Sequence, residues 1–136
     1  MYSSQVSAYQ KHIRAAFENL LLSHNVDAYF NGHIHWYERI YPVGNSVINH
    51  AAVVNNNTYI TGNGTSMVHI CNGFAGNIEY ASTINASLIN TTLTYYLNQV
   101  NYGLSRIQVI NSTTLLYQYI IGSNGTVGDQ VYLVKP

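Results

Sequence analysis

The sequence predicts an α/β (α+β) fold in which one N-terminal helix is followed mostly by β-strands. Apolar residues recur at helical spacing from Ala8 to His24, and Val26 to Phe30 then alternate apolar and polar, as in a half-buried strand. After Pro42, short β-prone runs are separated by Gly and Asn. With 136 residues, of which 47% are hydrophobic, the chain suits a single domain with its own core.

The predicted helix is amphipathic. Its apolar positions lie three or four residues apart and its polar positions lie between them, the two sets being Ile13, Ala16, Phe17, Leu20 and Leu21, and Lys11, Arg14 and Glu18. We expect the apolar set to pack and the polar set to face solvent. His12 lies beside the apolar positions, and His24 lies in the last turn, where a protonated imidazole suits the negative end of the helix dipole. We interpret both histidines as structural.

The region after Pro42 is predicted to be a β-meander. Asn111 to Thr114 separate two strand-like runs and indicate a hairpin. Residues 81–101 are rich in Asn, Thr and Ser and are predicted to form a surface loop with a short helix. The predicted strands are Ser46–Ile48, Thr58–Ile60, Met67–Cys71, Gly103–Ile110, Leu115–Ile121 and Gln130–Val134.

Composition excludes two classes of partner. Charged residues make up only 7% of the chain and the formal net charge is zero. Non-specific binding to nucleic acid or to anionic lipid depends on clustered Lys and Arg, so neither is an expected partner. No apolar run approaches the roughly 18 to 20 residues that a membrane-spanning helix requires.

Asn-x-Ser/Thr sequons suggest a secreted glycoprotein. Roughly two or three are expected by chance in a chain of this composition, whereas six occur, at Asn56, Asn63, Asn85, Asn90, Asn111 and Asn124. Glycans would also keep a nearly uncharged surface in solution. Cys71 is the only cysteine and cannot form an internal disulfide, and its strand-like surroundings predict that it is buried.

The segment from Val26 to Tyr41 is the part of the chain that packing explains least. A predicted strand runs into the turn residues Asn31 and Gly32, which precede His33 and His35. On an extended backbone, residues two apart project to one side, and the glycine lets the main chain approach a ligand. The pair is therefore half of a candidate metal site, although two neutral histidines can equally be structural.

Other residues of possible function have structural alternatives. Glu38 and Arg39 follow the histidines; we favour a bracing role for them over contact between Arg39 and a phosphate. The loop Asn72–Asn77 contains two glycines and could approach a ligand, but a turn is the favoured interpretation. His50 and His69 have no neighbouring ligand-type residue at a spacing that would indicate a site, and we interpret both as structural.

Residues Gly32–Arg39 resemble the last metal-binding motif of the purple acid phosphatases, Gly-His-x-His-x-Tyr-Glu-Arg, within the calcineurin-like metallophosphoesterases. Asn72–Glu79 is similar to the Gly-rich segment downstream of that motif. Tyr102–Ser105 and Asp129 resemble the C-terminal strands of the fungal branch. The resemblance implies the C-terminal part of a metallophosphoesterase β-sandwich flanked by helices. Residues 1–136 would be one partial domain, with the helix, strand and motif in 1–41 and the β-rich region in 42–136.

The resemblance also implies an activity. Such enzymes hydrolyse phosphate monoesters with two metal ions, one Fe(III) and a second Fe, Zn or Mn. His33 resembles the ligand of the divalent ion and His35 that of the ferric ion, with Gly32, Tyr37, Glu38 and Arg39 completing the motif. The family's other ligand motifs are not found: Asp129 to Tyr132 matches the letters of Asp-x-x-Tyr, but it follows the histidine motif instead of preceding it.

Met1–Ser4 resembles the residues that follow a ligand histidine of the family. We therefore expect an N-terminal half of the domain, with its signal peptide, to be missing, and the chain alone to be inactive. His12 cannot be assigned to the family's leaving-group histidines. The alternative is a non-catalytic β-rich module whose Gly-His-x-His loop is structural or binds a single metal ion.

Overall fold

Two β-sheets lie face to face, and helix α1 (Ala8–Ser23) covers the outer face of one of them. The computed structural model describes residues 1–5 and 8–136. Within those residues, no helix is long and apolar enough to cross a membrane. The strands are β1 (Ala28–Asn31), β2 (Tyr37–Ile40), β3 (Val43–Gly44), β4 (Val47–Ile48), β5 (Val53–Asn55), β6 (Thr58–Ile60), β7 (Val68–Asn72), β8 (Thr94–Asn98), β9 (Gly103–Asn111), β10 (Thr114–Ile121) and β11 (Val127–Val134).

Sheet I has the strand order β1-β7-β2-β8, and sheet II has the order β5-β6-β11-β10-β9. In sheet I, β1 runs parallel to β7, with Ala28 opposite Val68, and β2 lies antiparallel between β7 and β8. The predicted helix and the strand that follows it are confirmed, and the amide of Val26 donates to the carbonyl of Leu21 at the junction (3.0 Å). The α/β prediction is therefore correct.

The predicted strands after Pro42 are all present, but their predicted arrangement as a meander is wrong. β7 belongs to sheet I, and β6 pairs in parallel with β11 across a long stretch of sequence. The first four residues of β7, Val68 to Cys71, are all buried, which suits a central strand covered on both faces. The predicted hairpin between β9 and β10 is confirmed.

The loop predicted over residues 81–101 is only partly correct. A short 3-10 helix, Ala86–Leu88, lies there as expected, but β8 (Thr94–Asn98) pairs with β2 and closes one edge of sheet I. The Asn- and Thr-rich surroundings concealed this strand, although its Thr-Tyr-Tyr-Leu core has high β-propensity.

Only part of the predicted apolar face of α1 is buried. Ile13 and Leu21 pack against the core as predicted, but Phe17 and Leu20 are more than half exposed and Glu18 is buried. The Glu18 carboxylate accepts hydrogen bonds from the Tyr2 hydroxyl (2.6 Å) and the Asn45 amide (3.0 Å), which hold it inward. Contacts with residues distant in sequence thus turn Glu18 inward, which spacing along the helix does not predict.

Tyrosines fill much of the space between the sheets. The Tyr37 ring from sheet I stacks on Tyr119 of sheet II, with ring centroids 4.1 Å apart and planes 5° from parallel. Tyr59 and Tyr117 complete the aromatic part of this core. Large flat rings bury much apolar area at a low cost in conformational entropy, and their hydroxyls can bond to polar groups at the edge of the core.

One such polar group is the carboxylate of Asp129 on β11. Arg39 on β2 donates to it through Nε and Nη2, at 2.7 Å each, and the Tyr37 hydroxyl donates to Oδ2 at 2.7 Å. Arg39 also lies over the Tyr95 ring (4.1 Å) and donates to the Tyr59 hydroxyl (2.6 Å). The bracing role predicted for Arg39 is therefore confirmed, with a partner on the opposite sheet.

This ion pair lies almost entirely out of solvent, the Arg39 side chain being 1% and the Asp129 side chain 8% exposed. Burial opposes the charge of Arg39, but hydrogen bonds to Asp129 and its negative charge outweigh that effect, so the pKa of the guanidinium is raised. Burial, with the same carboxylate nearby, also raises the pKa of the Tyr37 hydroxyl.

We predict that Asp129→Asn lowers the free energy of unfolding by about 3 kcal/mol or more, because it leaves the buried Arg39 charge uncompensated. Urea unfolding measures the change. The matched control is Asp27→Asn, which removes a partly exposed ion pair with Lys135 (2.9 Å) and should cost at most about 1 kcal/mol. Equal losses in the two variants would contradict a dominant role for the buried pair.

Candidate functional site

The Gly-His-x-His segment forms the loop between the carboxyl end of β1 and the start of β2. Its backbone is held by the Trp36 amide, which donates to the Ile34 carbonyl (2.8 Å), and by the Cys71 thiol, which lies 3.6 Å from the Gly32 carbonyl oxygen. Cys71 is buried, as predicted, and burial raises the pKa of its thiol to about 11. The thiol is therefore protonated and serves as a packing group.

The expected extended backbone through the two histidines is wrong. His33 has a φ of +77°, in the left-handed region, and residues 33–36 form bends before β2 begins. Contacts with three parts of the chain hold the bent loop: the His35 carbonyl accepts from the Ser82 amide (2.9 Å), the Trp36 carbonyl accepts from the Gly73 amide (3.2 Å), and the Gly32 carbonyl lies beside the Cys71 thiol of β7. His33 is exposed, whereas the His35 side chain is only 20% exposed. The two imidazoles therefore occupy different surroundings.

His35 is held by the loop that follows β7. Its Nδ1 lies 3.1 Å from the Tyr80 carbonyl oxygen and 3.1 Å from the Asn77 amide nitrogen, which also donates to the Glu79 carbonyl. In the tautomer with the ring proton on Nδ1, the ring donates to the Tyr80 carbonyl and keeps a lone pair on Nε2, the arrangement in which histidine binds metals. The Glu79 carboxylate lies 3.5 Å from Nε2 and is 76% exposed.

The close backbone approach expected at Gly32 occurs at Gly73. A methyl group at Gly73 would lie 2.2 Å from the Ile34 carbonyl oxygen and 3.0 Å from the His33 nitrogen, whereas one at Gly32 would make only an ordinary 3.5 Å contact. The loop Asn72–Asn77 thus packs directly against the backbone of the histidine loop. A glycine directly after a buried strand was the sequence signal for this contact.

The remaining histidines lie away from this loop. His12 and His24 are exposed on and just after α1, and His50 packs against the Tyr41 ring (5.3 Å). His69 is buried beside Tyr2, and neither ring nitrogen has a hydrogen-bond partner among the described residues. Burial lowers the pKa of His69 to about 3, so this imidazole is neutral.

The ligand set within the chain is small. Among residues 1–5 and 8–136, no three His, Cys, Asp or Glu side chains come together as a metal-binding group. The Asp129 carboxylate, which matched Asp-x-x-Tyr in its letters, is engaged by Arg39 and Tyr37. All six sequon asparagines are exposed.

The chain is similar to known acid phosphatases. Residues 66–130 match the family model described as iron/zinc purple acid phosphatase-like protein C. An acid phosphatase from Aspergillus ficuum is 53% identical over 137 residues, covering 100% of this chain and 22% of that protein. A phosphoenolpyruvate phosphatase from Allium cepa is 30% identical over 92% of this chain and 25% of that protein.

A structural relative has the same fold. A purple acid phosphatase from yellow lupin seeds superposes with a TM-score of 0.71 and 24% identity, over 87% of this chain and 19% of that chain. The chain thus spans about a fifth to a quarter of the length of the relatives it matches.

We predict that Gly73→Ala distorts the histidine loop, because its methyl group would collide with the backbone at Ile34. Such overpacking should cost about 1–3 kcal/mol and shift the NMR ring signals of His33 and His35. Gly32→Ala is the control and should leave those signals nearly unchanged. If Gly73→Ala were as silent as the control, the Gly73 loop would not be what supports the histidines.

Proposed function

Since this chain belongs to the purple acid phosphatase family, we propose that it contributes His33 and His35 to a dinuclear metal centre that hydrolyses phosphate monoesters. Residues 1–136 would be one partial domain, comprising a helix-strand-motif unit (1–41) and a β-rich region (42–136). The observation that best supports the proposal is the position of His35, whose ring is largely buried and whose Nδ1 lies 3.1 Å from the Tyr80 carbonyl oxygen, so that Nε2 is the nitrogen left to bind a metal.

The donor chemistry fits the proposed metals. Imidazole nitrogen is a common ligand for zinc and iron, and the exposed side chain of His33 is accessible to an ion. We assign His33 to the divalent ion (Zn, Fe or Mn) and His35 to Fe(III). Glu79 would have to leave Nε2 of His35, which its exposed side chain can do. When bound, a pair of metal ions neutralises the phosphate and activates a water.

The role of this chain's residues is to fix two donors on a rigid support. Tyr37 and Arg39 anchor β2 to Asp129, and Gly73 permits close contact beneath the loop. Two imidazoles do not complete two coordination spheres, so further ligands must come from polypeptide outside residues 1–136.

Uncovered apolar surface supports a larger domain. β1 and β9 are edge strands. Phe30 stacks on Tyr117 between the sheets yet is 43% exposed. On β9, Ser105 bonds to Asn72 of sheet I, so Ile107 and Val109 share this inward face, and they are 49% and 73% exposed. We infer that an N-terminal half of the catalytic domain packs against this side of the sandwich.

The exposed sequon asparagines support glycosylation and secretion. Five of the six side chains accept a hydrogen bond from the residue two positions later, as in turns accessible to a glycosyltransferase. A loss of mass on N-glycosidase treatment of protein secreted by a fungal host would test this.

A non-catalytic module is the second candidate. It is favoured by Glu79, whose carboxylate lies 3.5 Å from the His35 Nε2 that would bind a metal, and by the structural roles of Tyr37 and Arg39. In that case, the loop would be structural or would bind a single metal ion.

We predict that the purified chain, supplied with iron and zinc, binds less than one tight equivalent of metal and does not hydrolyse p-nitrophenyl phosphate. Two ligands to two different ions leave each ion mostly water-bound. Metal analysis after gel filtration and a phosphatase assay measure both outcomes. Robust hydrolysis that is lost in His33→Ala would refute the proposed inactivity of the isolated chain. The second candidate would be favoured if a single tight ion were bound and then lost in His35→Ala.

A further inference from the structure

Glu38 is a buried carboxylate with no basic partner within ion-pair distance among the described residues, although it adjoins the Arg39–Asp129 pair in sequence. Side chains alternate along β2, so Tyr37 and Arg39 face sheet II and Glu38 faces the opposite side. An unpaired buried carboxylate is costly unless hydrogen bonds satisfy it. The hydrogen-bond partners of Glu38 therefore indicate which part of the structure its carboxylate stabilises.

Those partners lie at the N-terminal end of the chain and on β8. Glu38 Oε2 accepts from the Ser3 hydroxyl (2.5 Å), and Oε1 accepts from the Ser4 amide (2.8 Å) and the Thr94 hydroxyl (2.7 Å). The hydroxyls of Ser4 and Thr94 also contact each other (2.6 Å). Ser3 and Ser4, which belong to no helix or strand, are consequently 6% and 5% exposed.

The segment that Glu38 holds lines a cleft of about 780 Å³. Met1, Tyr2 and Ser3 line this cleft together with Asn31, Gly32 and His33. Glu38 thus connects the strand that follows the histidine loop with a segment that lines the same cleft as His33.

We propose that Glu38 is a positioning residue for the metal site: its carboxylate fixes Ser3 and Ser4, and through them the distance between Met1–Ser3 and His33. The proposal rests on the proposed metal-binding function of the loop. It assigns to Glu38 a role apart from that of Arg39, which joins the two sheets.

The test compares Glu38→Gln, which keeps the shape and removes the charge, with the 136-residue parent. Thr94→Val is a second variant, which keeps the Glu38 carboxylate but deletes the Thr94 hydrogen bond to Oε1 and the contact between the Thr94 and Ser4 hydroxyls. Asp27→Asn is the control, because it removes a carboxylate that pairs with Lys135 and not with Ser3 or Ser4. Backbone amide hydrogen exchange is measured without metal. We expect the Ser4 amide to exchange at least about tenfold faster in Glu38→Gln than in the parent, because a charge-assisted hydrogen bond becomes a neutral one. Amides of β10 and β11 should keep their protection.

Mn²⁺ supplies a distance measurement that a general loss of stability would not change. Mn²⁺ is added until the NMR signals of Gly32 and Ile34 are broadened to the same extent in each protein. Under that condition, the Ser3 and Ser4 signals should be broadened in the parent and in the control. In Glu38→Gln they should recover intensity. Unchanged exchange at Ser4, or the same broadening of Ser3 and Ser4 in every protein, would overturn the proposal. Failure of Mn²⁺ to broaden Gly32 and Ile34 would instead count against the metal site, and exchange at Ser4 would still decide whether Glu38 holds the segment.

Discussion

The core of the sandwich contains a buried ion pair between Arg39 and Asp129. It joins the two sheets through two hydrogen bonds of 2.7 Å, and Tyr37 adds a third to the same carboxylate. The pair contributes to the free energy of folding only when both partners are present, because either charge alone would be buried without compensation. Since Arg39 lies four residues after His35, the pair also fixes the strand that begins where the histidine loop ends.

The loop is supported from several directions at once. β2 is held on one face by Asp129 and on the other by the contacts of Glu38 with Ser3, Ser4 and Thr94. Gly73 lies directly beneath the backbone of Ile34. Under the proposed function, the two donors need supports that do not move, and the three motif residues after the histidines, Tyr37, Glu38 and Arg39, provide such supports.

Local pattern predicted much of the fold. Helical spacing located α1, and period-two alternation and β-prone runs located the strands that flank the histidine loop. The pattern could not show that Asp129 would meet Arg39 from 90 residues away, that Glu18 would turn inward to Tyr2, or that Gly73 rather than Gly32 would make the close contact. Each of these depends on which elements become neighbours in space, and residue spacing along the chain does not encode that. The sequence motif identified the two candidate ligands. Only the fold shows that His33 is exposed whereas His35 is largely buried.

The proposed function requires His33 and His35 to bind metal in a site that other polypeptide completes. In a chimera that tests this requirement, residues 1–136 replace the aligned segment of the Aspergillus ficuum acid phosphatase, to which they are 53% identical. We expect phosphatase activity and bound metal in the chimera, both lost in His33→Ala and in His35→Ala, with His12→Ala as an active control. An active chimera that tolerated the loss of both imidazoles would overturn the proposal.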